Sequence, residues 1–225
     1  VTPREELIEL VQRANGAGLS VAIHAIGDQA NRHTLDALSA AKAVSLPETS
    51  PFLPNRIEHV QLLHPADLPR LTRLGVIASM QPIHCTSDME MAERYWGTRA
   101  RWSYAWRSLL EAGTTLCFGS DCPVEPLAPL RGIHAAVTRR RPDGSPGPEG
   151  WYPQERLTVS QAVYAYTLGC AIASGEAHLK GSITPGKLAD LVILSQDIFQ
   201  IEPMGILETE VVGTIIGGRM VYRQF

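Results

Sequence analysis

Four short apolar segments alternate with helical segments, and this alternation constrains the fold more than any other feature of the chain. The segments predicted as strands are Leu19–Ala25, Arg56–Val60, Val76–Met80 and Thr114–Gly119. Strand–helix units repeated in this way are typical of a parallel sheet that is buried on both faces. The sequence therefore predicts an α/β fold in which the carboxyl ends of the four strands meet at one edge.

Capping signals and the spacing of apolar residues predict the helices. Thr2 is expected to cap the first helix, with Pro3 at its first position and Glu5 completing a capping box. Further helices are predicted at 28–44, from Pro65, from about Trp102 or Ser103 to Ala112, at 129–139 and from Thr158. Loops are predicted at 45–54, 85–101 and 140–153; the last is either an active-site flap or a disordered insertion.

The end of the chain has a different pattern. Segments 188–194, 211–216 and 220–222 have the composition of strands, and Gly217-Gly218 predicts a tight hairpin between the last two. A separate small β-module is therefore expected after the α/β part. Four parallel strands do not close an eight-stranded barrel, which usually needs about 250 residues. Either the sheet is open, or further strand–helix units precede Val1, and the abrupt start favours the second alternative.

Composition excludes several classes of function. The chain has 20 basic and 23 acidic residues and a net charge of −3, which does not favour binding to nucleic acid or to an anionic membrane surface. No apolar run reaches the roughly 18–20 residues that span a bilayer. The only basic run, 139–141, is expected to be a solvated helix end. Four cysteines without C-x-x-C spacing predict reduced thiols and a cytoplasmic protein.

Three polar residues are predicted at or just after the ends of strands. His24, His59 and Asp121 come from three different strands, and active sites in parallel α/β folds gather at this edge. Two imidazoles and a carboxylate are suitable ligands for Zn²⁺ or a similar divalent ion. Each residue also has an ordinary structural explanation, because a histidine can serve packing and an aspartate after Gly-Ser can cap a turn.

Several motifs together resemble the second half of the amidohydrolase superfamily barrel. They are His-Ala-Ile-Gly-Asp at 24–28, Arg-Ile-Glu-His at 56–59, Ser-Met-Gln-Pro at 79–82, Gly-Ser-Asp-Cys-Pro-Val at 119–124 and the segment 180–194. Within the superfamily they are most similar to the amidohydrolase-3 or YtcJ-like group, which includes N-substituted formamide deformylases. The resemblance implies the second half of a TIM-like (β/α)₈ barrel at 1–180 and a β-sandwich portion at 181–225.

The resemblance also implies a site and a reaction. His24 and His59 would bind a divalent metal, expected to be Zn²⁺ as one or two ions, or His59 would contact the attacking water or the substrate carbonyl. Asp121 would bind the metal, orient the water and carry its proton to the leaving nitrogen. The substrate would be a small amide or formamide whose C–N bond is hydrolysed. Gln81, His84 and Arg101 are the candidates for contact with it.

Two departures from the family pattern leave alternatives open. The chain contains no His-x-His pair and no match for the strand-four lysine or glutamate of the family. Taken alone, it is therefore either part of an enzyme, or a catalytically incomplete fragment, a degenerate paralogue or a subunit. A metal-independent open-sheet enzyme is a third alternative. Exposed barrel edges would favour a homo-oligomer.

Overall fold

A computed structural model describes residues 2–42 and 53–224. The chain divides into two compact units: Val1–Met80 with Asp88–Cys117, and Gln81–Ser87 with Phe118–Phe225. Within the described ranges, no helix combines the length and the apolar character needed to cross a membrane.

The first unit contains the predicted alternation of strands and helices. Its elements are α1 (Arg4–Gly16), β1 (Ala22–Ala25), α2 (Asp28–Lys42), β2 (Arg56–His59), a 3₁₀ turn (Pro65–Asp67), α3 (Leu68–Leu74), β3 (Ile77–Met80), α4 (Pro82–Trp96), a second 3₁₀ turn (Gly97–Trp102), α5 (Trp106–Glu111) and β4 (Leu116–Phe118). The first turns of α4 belong to the second unit, and the chain enters that unit again at the end of β4. The strands lie in the order β1-β2-β3-β4, and the β1–β2 and β2–β3 pairs are parallel. The α/β prediction with a parallel sheet is confirmed.

The sheet and its helices share an apolar core. Ile57 and Ala78 on neighbouring strands are completely buried, as are Leu35 on α2, Leu71 on α3 and Trp106 on α5. Burial of large apolar side chains contributes about 1.5–3 kcal/mol each relative to exposure. This core fixes the positions at which the strands end, and hence the positions of the polar residues there.

Ion pairs connect the three helices α1, α2 and α3. Asp36 accepts hydrogen bonds from Arg4 at 2.9 Å and from Arg70 at 2.7 Å. Arg70 also donates to Asp67, which in turn pairs with Arg32. Burial alone would raise the pKa of Asp36, but the hydrogen bonds from Arg70 and Arg4 outweigh it and the pKa is lowered. The carboxylate therefore stays charged and holds the helices together.

Helix α4 shows that the predicted loop at 85–101 is wrong. The helix starts at Pro82, one residue after the end of β3, and continues to Trp96, followed by the 3₁₀ turn that ends at Trp102. The first residues of α4 are buried on every side, so no alternation of apolar and polar residues marks a helix there. Proline at the first helical position was the available signal. The following helix, α5, is correspondingly shorter than predicted.

Smaller differences concern element ends. Helix α1 begins at Arg4 with Pro3 as its N-cap and without a side-chain cap, so the predicted Thr2 cap is wrong. Strand β1 is shorter than predicted because the chain becomes extended and paired only from Ala22. The predicted end of α2 at Val44 and most of the predicted loop at 45–54 lie outside the described residues.

The second unit ends in an antiparallel sheet, as predicted. Its elements are α6 (Pro129–Thr138), a 3₁₀ turn (Pro153–Glu155), α7 (Val159–Tyr166), α8 (Leu168–Ala173), β5 (Leu191–Leu194), a 3₁₀ turn (Pro203–Glu208), β6 (Val211–Ile216) and β7 (Arg219–Arg223). The order is β5-β6-β7, and Gly217 and Gly218 form the hairpin turn with φ of 56° and 78°. The proposed division of the chain between 180 and 181 stays a prediction.

The basic run at 139–141 is not a solvated helix end, so that expectation is wrong. Arg139 ends α6 in the left-handed region, with φ of 51°, and its side chain is completely buried. Its Nε donates to the carbonyl of Trp151, and its guanidinium carbon lies 5.2 Å from the centre of the Trp151 ring. Arg140 and Arg141 are half-buried. Long-range partners, rather than local sequence, decide the burial of these charges.

The loop at 140–153 is held by specific hydrogen bonds, which disagrees with the alternative of a disordered insertion. The N–H of Arg141 donates to the carbonyl of Ser145, and the N–H of Trp151 donates to the carbonyl of Arg139. After the loop, Thr158 caps α7 in a capping box with Gln161, as predicted.

The close approach of α6 and α7 gives a stability prediction. A Cβ added to Gly132 would lie 1.7 Å from the hydroxyl of Tyr166, a side chain whose pKa is raised by burial. We expect Gly132→Ala to lower the free energy of unfolding of the full-length protein by about 3 kcal/mol, because overpacking forces side chains off their rotamers. Urea unfolding followed by circular dichroism measures this.

A matched substitution controls for the general effect of alanine in a helix. Gly16 ends α1 without positive φ, and a Cβ added there would have no atom within 4 Å. Gly16→Ala is expected to be neutral or to stabilise by about 0.5–1 kcal/mol. Equal effects of the two substitutions would contradict the packing explanation. The double variant Gly132→Ala with Tyr166→Phe should recover part of the loss, because the nearest atom is removed.

Candidate active site

Two histidines of the first unit contact each other at the carboxyl edge of the parallel sheet. His24 lies on β1 and His59 is the last residue of β2. The two strands are parallel, with Ala25 opposite His59, so the histidines lie one position apart along the edge. Their ring centres are 4.5 Å apart and the rings meet edge to face at 73°. His24 is exposed, whereas His59 is only 9% exposed. The two rings therefore lie side by side at this edge, and their role as ligands stays a prediction.

The backbone at the end of β2 adopts an unfavourable conformation. His59 has φ of 76° and the β-branched Val60 has φ of 46°, both in the left-handed region that such residues rarely occupy. Backbone strain of this kind costs about 1–3 kcal/mol per residue and is found most often at functional sites. The turn ends the strand abruptly and leaves the His59 ring beside His24.

A buried asparagine holds this turn in place. Asn31 on α2 is completely buried, and its amide nitrogen lies 3.1 Å from the carbonyl oxygens of both Ala25 and Leu62. The N–H of Leu62 also donates to the carbonyl of Ile26 at 2.8 Å. These bonds connect the segment after His24 to the segment after His59, and they fix the two strand ends relative to each other.

A second buried group supports the segment that follows His59. The Gln61 amide donates to Asp88 at 2.9 Å, and the Tyr104 hydroxyl donates to the same carboxylate oxygen at 2.8 Å. The backbone N–H of Tyr104 donates to the carbonyl of Gln61. Asp88 is half-buried, and the two hydrogen bonds to its carboxylate satisfy the oxygen that faces Gln61 and Tyr104. The segment after His59 is therefore held by Asn31 through Leu62 and by Asp88 and Tyr104 through Gln61.

The second unit contributes a different cluster, formed by His84, Asp121 and Glu125. Nε2 of His84 lies 3.2 Å from a carboxylate oxygen of Asp121, and Nδ1 of the same ring lies 3.6 Å from Glu125. The shorter of the two contacts favours an N–H on Nε2, donated to Asp121. His84 is 9% exposed, whereas 40% of the Asp121 side chain is exposed. The contact with His84 thus fixes the orientation of the Asp121 carboxylate, which remains partly exposed to solvent.

Asp121 lies in a tight turn after β4. Its φ is 59°, its carbonyl accepts a hydrogen bond from the N–H of Val124 at 2.8 Å, and the hydroxyl of Ser120 accepts one from the N–H of Cys122. Aspartate tolerates the left-handed region better than most residues. Like His59, this residue has a left-handed backbone conformation close to the end of a strand of this sheet.

The three predicted substrate-contact residues have different environments. Gln81 is 7% exposed and its carbonyl accepts the N–H of His84. His84 contacts Asp121, as described. Arg101 is exposed in the first unit, where its guanidinium carbon lies 5.0 Å from the centre of the Trp102 ring. Contact of any of the three with a substrate stays a prediction.

Sequence reasoning missed Glu125 and Ser87. The Ser87 hydroxyl donates to Glu125 at 2.6 Å, so this carboxylate is held between Ser87 and His84. Glu125 directly follows the Gly-Ser-Asp-Cys-Pro-Val motif at 119–124, four residues after Asp121, which was an available signal. Ser87 follows His84 by three residues, and its position on the same face is evident only once α4 is known to be a helix.

The donor types fit a divalent transition metal better than Mg²⁺ or Ca²⁺. The first unit offers two imidazoles in direct contact at the strand ends, and the second offers a carboxylate that is partly exposed. Imidazole nitrogen suits Zn²⁺ and its neighbours in the periodic table, whereas Mg²⁺ and Ca²⁺ are bound almost entirely by oxygen. The predicted ligands are two imidazoles, those of His24 and His59, and one carboxylate, that of Asp121.

Comparison with known proteins gives consistent matches along the chain. The model of the amidohydrolase family matches residues 1–222. Protein LONG AFTER FAR-RED 3 of Arabidopsis thaliana is 37% identical over 97% of the chain and 36% of its own length. YtcJ of Bacillus subtilis is 33% identical, and the N-substituted formamide deformylase of Arthrobacter pascens is 28% identical, each over 98% of the chain and 40% of its own length.

The structural comparison agrees with the sequence comparison. An uncharacterized metal-dependent hydrolase from Pyrococcus horikoshii OT3 is 33% identical, with a TM-score of 0.76 over 90% of this chain and 39% of that one. The chain therefore spans about two fifths of the length of these relatives.

Proposed function

Because the chain belongs to the amidohydrolase family, we propose that the protein hydrolyses a C–N bond, other than a peptide bond, in a small amide or formamide. The similarity to an N-substituted formamide deformylase supports this choice of bond. The similarity to a metal-dependent hydrolase supports hydrolysis as the reaction class.

The observation that carries the proposal is the setting of Asp121. One oxygen of its carboxylate accepts a hydrogen bond from His84, and the other, Oδ1, has no hydrogen-bond partner within the described part of the second unit. The side chain is 40% exposed, so a water molecule can reach it. A carboxylate in this setting can take a proton from the attacking water and deliver it to the leaving nitrogen. We assign this proton transfer to Asp121.

We assign metal binding to His24 and His59, with Asp121 as a further ligand by the family resemblance. The proposed ion is Zn²⁺, as one or two ions, and when bound it supplies Lewis acidity and lowers the pKa of water. Within the chain, Asn31 and the Gln61–Asp88–Tyr104 group keep the two imidazoles in position. In an alternative role, His59 contacts the attacking water or the substrate carbonyl instead of the ion.

Further parts of the proposal concern the whole protein. We propose that residues 1–180 form half of a (β/α)₈ barrel and that residues 181–225 form part of a β-sandwich, which the TM-score of 0.76 to a longer hydrolase supports. Gln81, His84 and Arg101 are proposed to contact the substrate. A cytoplasmic location and a homo-oligomer are proposed from the sequence, as are the absence of nucleic-acid and membrane partners.

Hydrolysis by the full-length protein tests the function. We expect release of formate or another acid from a panel of N-substituted formamides and simple amides, loss of activity after chelation, and recovery when Zn²⁺ is added. Release of the acid at an undiminished rate after complete removal of metal would favour a metal-independent enzyme instead. Absence of both bound metal and hydrolysis in the full-length protein would identify a degenerate, non-catalytic relative.

A further inference from the structure

A cavity of about 230 Å³ opens in the second unit next to Glu125. The polar side chains that line it are those of Thr86, Ser87, Glu125, Arg131, His134, Arg140 and Arg141. Three of them are arginines, brought together from α6 and from the loop that follows it. Neither the family resemblance nor the proposed metal site gives this cavity a role.

Two of the arginines have no carboxylate partner among the described residues. Arg131 is exposed on α6; its backbone N–H donates to the carbonyl of Ala128, and its side chain forms no hydrogen bond or ion pair with any described residue. Arg140 donates from Nε to the carbonyl of Gly144 at 3.1 Å and pairs with no carboxylate in the described ranges. Arg141 donates from Nε to the carbonyl of Thr86 at 3.0 Å, which holds its guanidinium group in place. Guanidinium groups are charged at any physiological pH, so the cavity has fixed positive charges.

The remaining polar groups do not neutralise these charges. Glu125 supplies the single carboxylate among the described lining residues, and it is already bonded to Ser87 and faces His84. His134 is almost completely buried, and burial together with the charge of Arg140 lowers its pKa to about 4, so it is neutral at pH 7. The cavity thus has an excess of positive charge that an anion would compensate.

The position of the cavity connects it to Asp121. Glu125 lines the cavity and lies 3.6 Å from one nitrogen of His84, whose other nitrogen bonds Asp121. A single imidazole ring therefore separates the cavity wall from the proposed proton-transfer group. Sites that enclose a whole small molecule measure about 300–1,000 Å³. A cavity of about 230 Å³ is better suited to one arm of a substrate whose reacting bond lies near Asp121.

We propose that this cavity binds a carboxylate arm of the substrate, so that the preferred substrate is an amide or formamide with a carboxylate on one side of the C–N bond. This inference rests on the proposed function. The forked donors of Arg131 and Arg140 match the two oxygens of a carboxylate. A monoanion fits better than a phosphate dianion, because Glu125 adds a negative charge to the same lining.

Matched substrates and variants of the full-length protein test the specificity. N-formyl-4-(aminomethyl)benzoate and its neutral counterpart, N-formylbenzylamine, differ only in the carboxylate. We expect kcat/KM to favour the carboxylate substrate by about tenfold or more, since a hydrogen bond to a charged group contributes about 1.5–3 kcal/mol. In the double variant Arg131→Gln with Arg140→Gln, this ratio should fall about tenfold. Arg219→Gln, on the exposed strand β7, is the matched control and should leave the ratio unchanged.

A binding measurement separates failure of the cavity from failure of the proposed function. Binding of 4-methylbenzoate, observed by NMR titration, is expected in the wild type and the Arg219→Gln control. It should weaken about tenfold in the double variant, whose fold is checked by circular dichroism. If binding depends on the arginines but no amide is hydrolysed, the anion site is supported and the proposed function is overturned. Hydrolysis without preference for the carboxylate, together with equal binding by the folded double variant, would overturn the cavity proposal.

Discussion

Replacing Asp121 by asparagine in the full-length protein is expected to lower kcat for amide hydrolysis by about 1,000-fold. Asparagine has nearly the same shape and can still contact His84, but it cannot accept a proton from the attacking water. General acid–base catalysis by a positioned side chain contributes about 10²–10⁴-fold. Because the carboxylate is held by His84 and is 40% exposed, the substitution removes the proton acceptor with little effect on packing.

The measurement combines initial rates with metal content. A fall in kcat with bound metal retained supports proton transfer as the role of Asp121, whereas a parallel loss of metal supports a role as ligand. Asp197→Asn is the matched control. Asp197 is exposed, and its side chain accepts a hydrogen bond from the N–H of Phe199 that an asparagine side chain can also accept. Full activity of Asp121→Asn would show that Asp121 takes no part in the reaction.

Replacing either His24 or His59 by asparagine is expected to reduce both bound metal and activity by more than about 100-fold. Changing residues that merely support metal ligands commonly costs 10–100-fold in metal affinity or activity, and removal of a ligand should cost more. The two rings lie 4.5 Å apart, so the proposal requires both substitutions to affect the same centre. Elemental analysis of dialysed protein, together with rates at increasing Zn²⁺, gives both quantities.

The comparison of the two positions also distinguishes the roles of His59. If His59 contacts the water or the substrate instead of the ion, His59→Asn keeps its metal and loses kcat, whereas His24→Asn loses metal. His178→Asn, at an exposed position of the second unit, controls for the general effect of the substitution. Normal metal content and normal rates in both the His24 and His59 variants would exclude the metal site proposed at this edge.

Much of the first unit could be predicted because its signals are local. The four strands are short runs of apolar residues between helices, and each was predicted within a few residues of its observed limits. Helix α4 was missed because its first turns are buried on all sides and lack amphipathic spacing. That omission also concealed the position of Ser87 and left the neighbourhood of His84 undefined.

The polar residues also divide into those that local sequence identified and those whose contacts only the tertiary structure showed. His24 and His59 were identified from their positions on strands, because parallel strands bring their carboxyl ends to one edge whatever the remaining contacts are. The pairing of His84 with Asp121 joins residues 37 positions apart and depends on where α4 begins. Glu125 and the arginines around the cavity gained a role only from their neighbours in space.

The alternation of short strands with helices, the histidines at the ends of β1 and β2, and the Gly217-Gly218 hairpin were determined by the sequence alone. Backbone geometry and side-chain periodicity depend on residues adjacent along the chain, so such features can be recognised locally. The tertiary structure decided the contact of His84 with Asp121, the burial of Arg139 and the arginine-lined cavity. Burial of a charge depends on partners distant in sequence, because desolvation is compensated only where the fold supplies them.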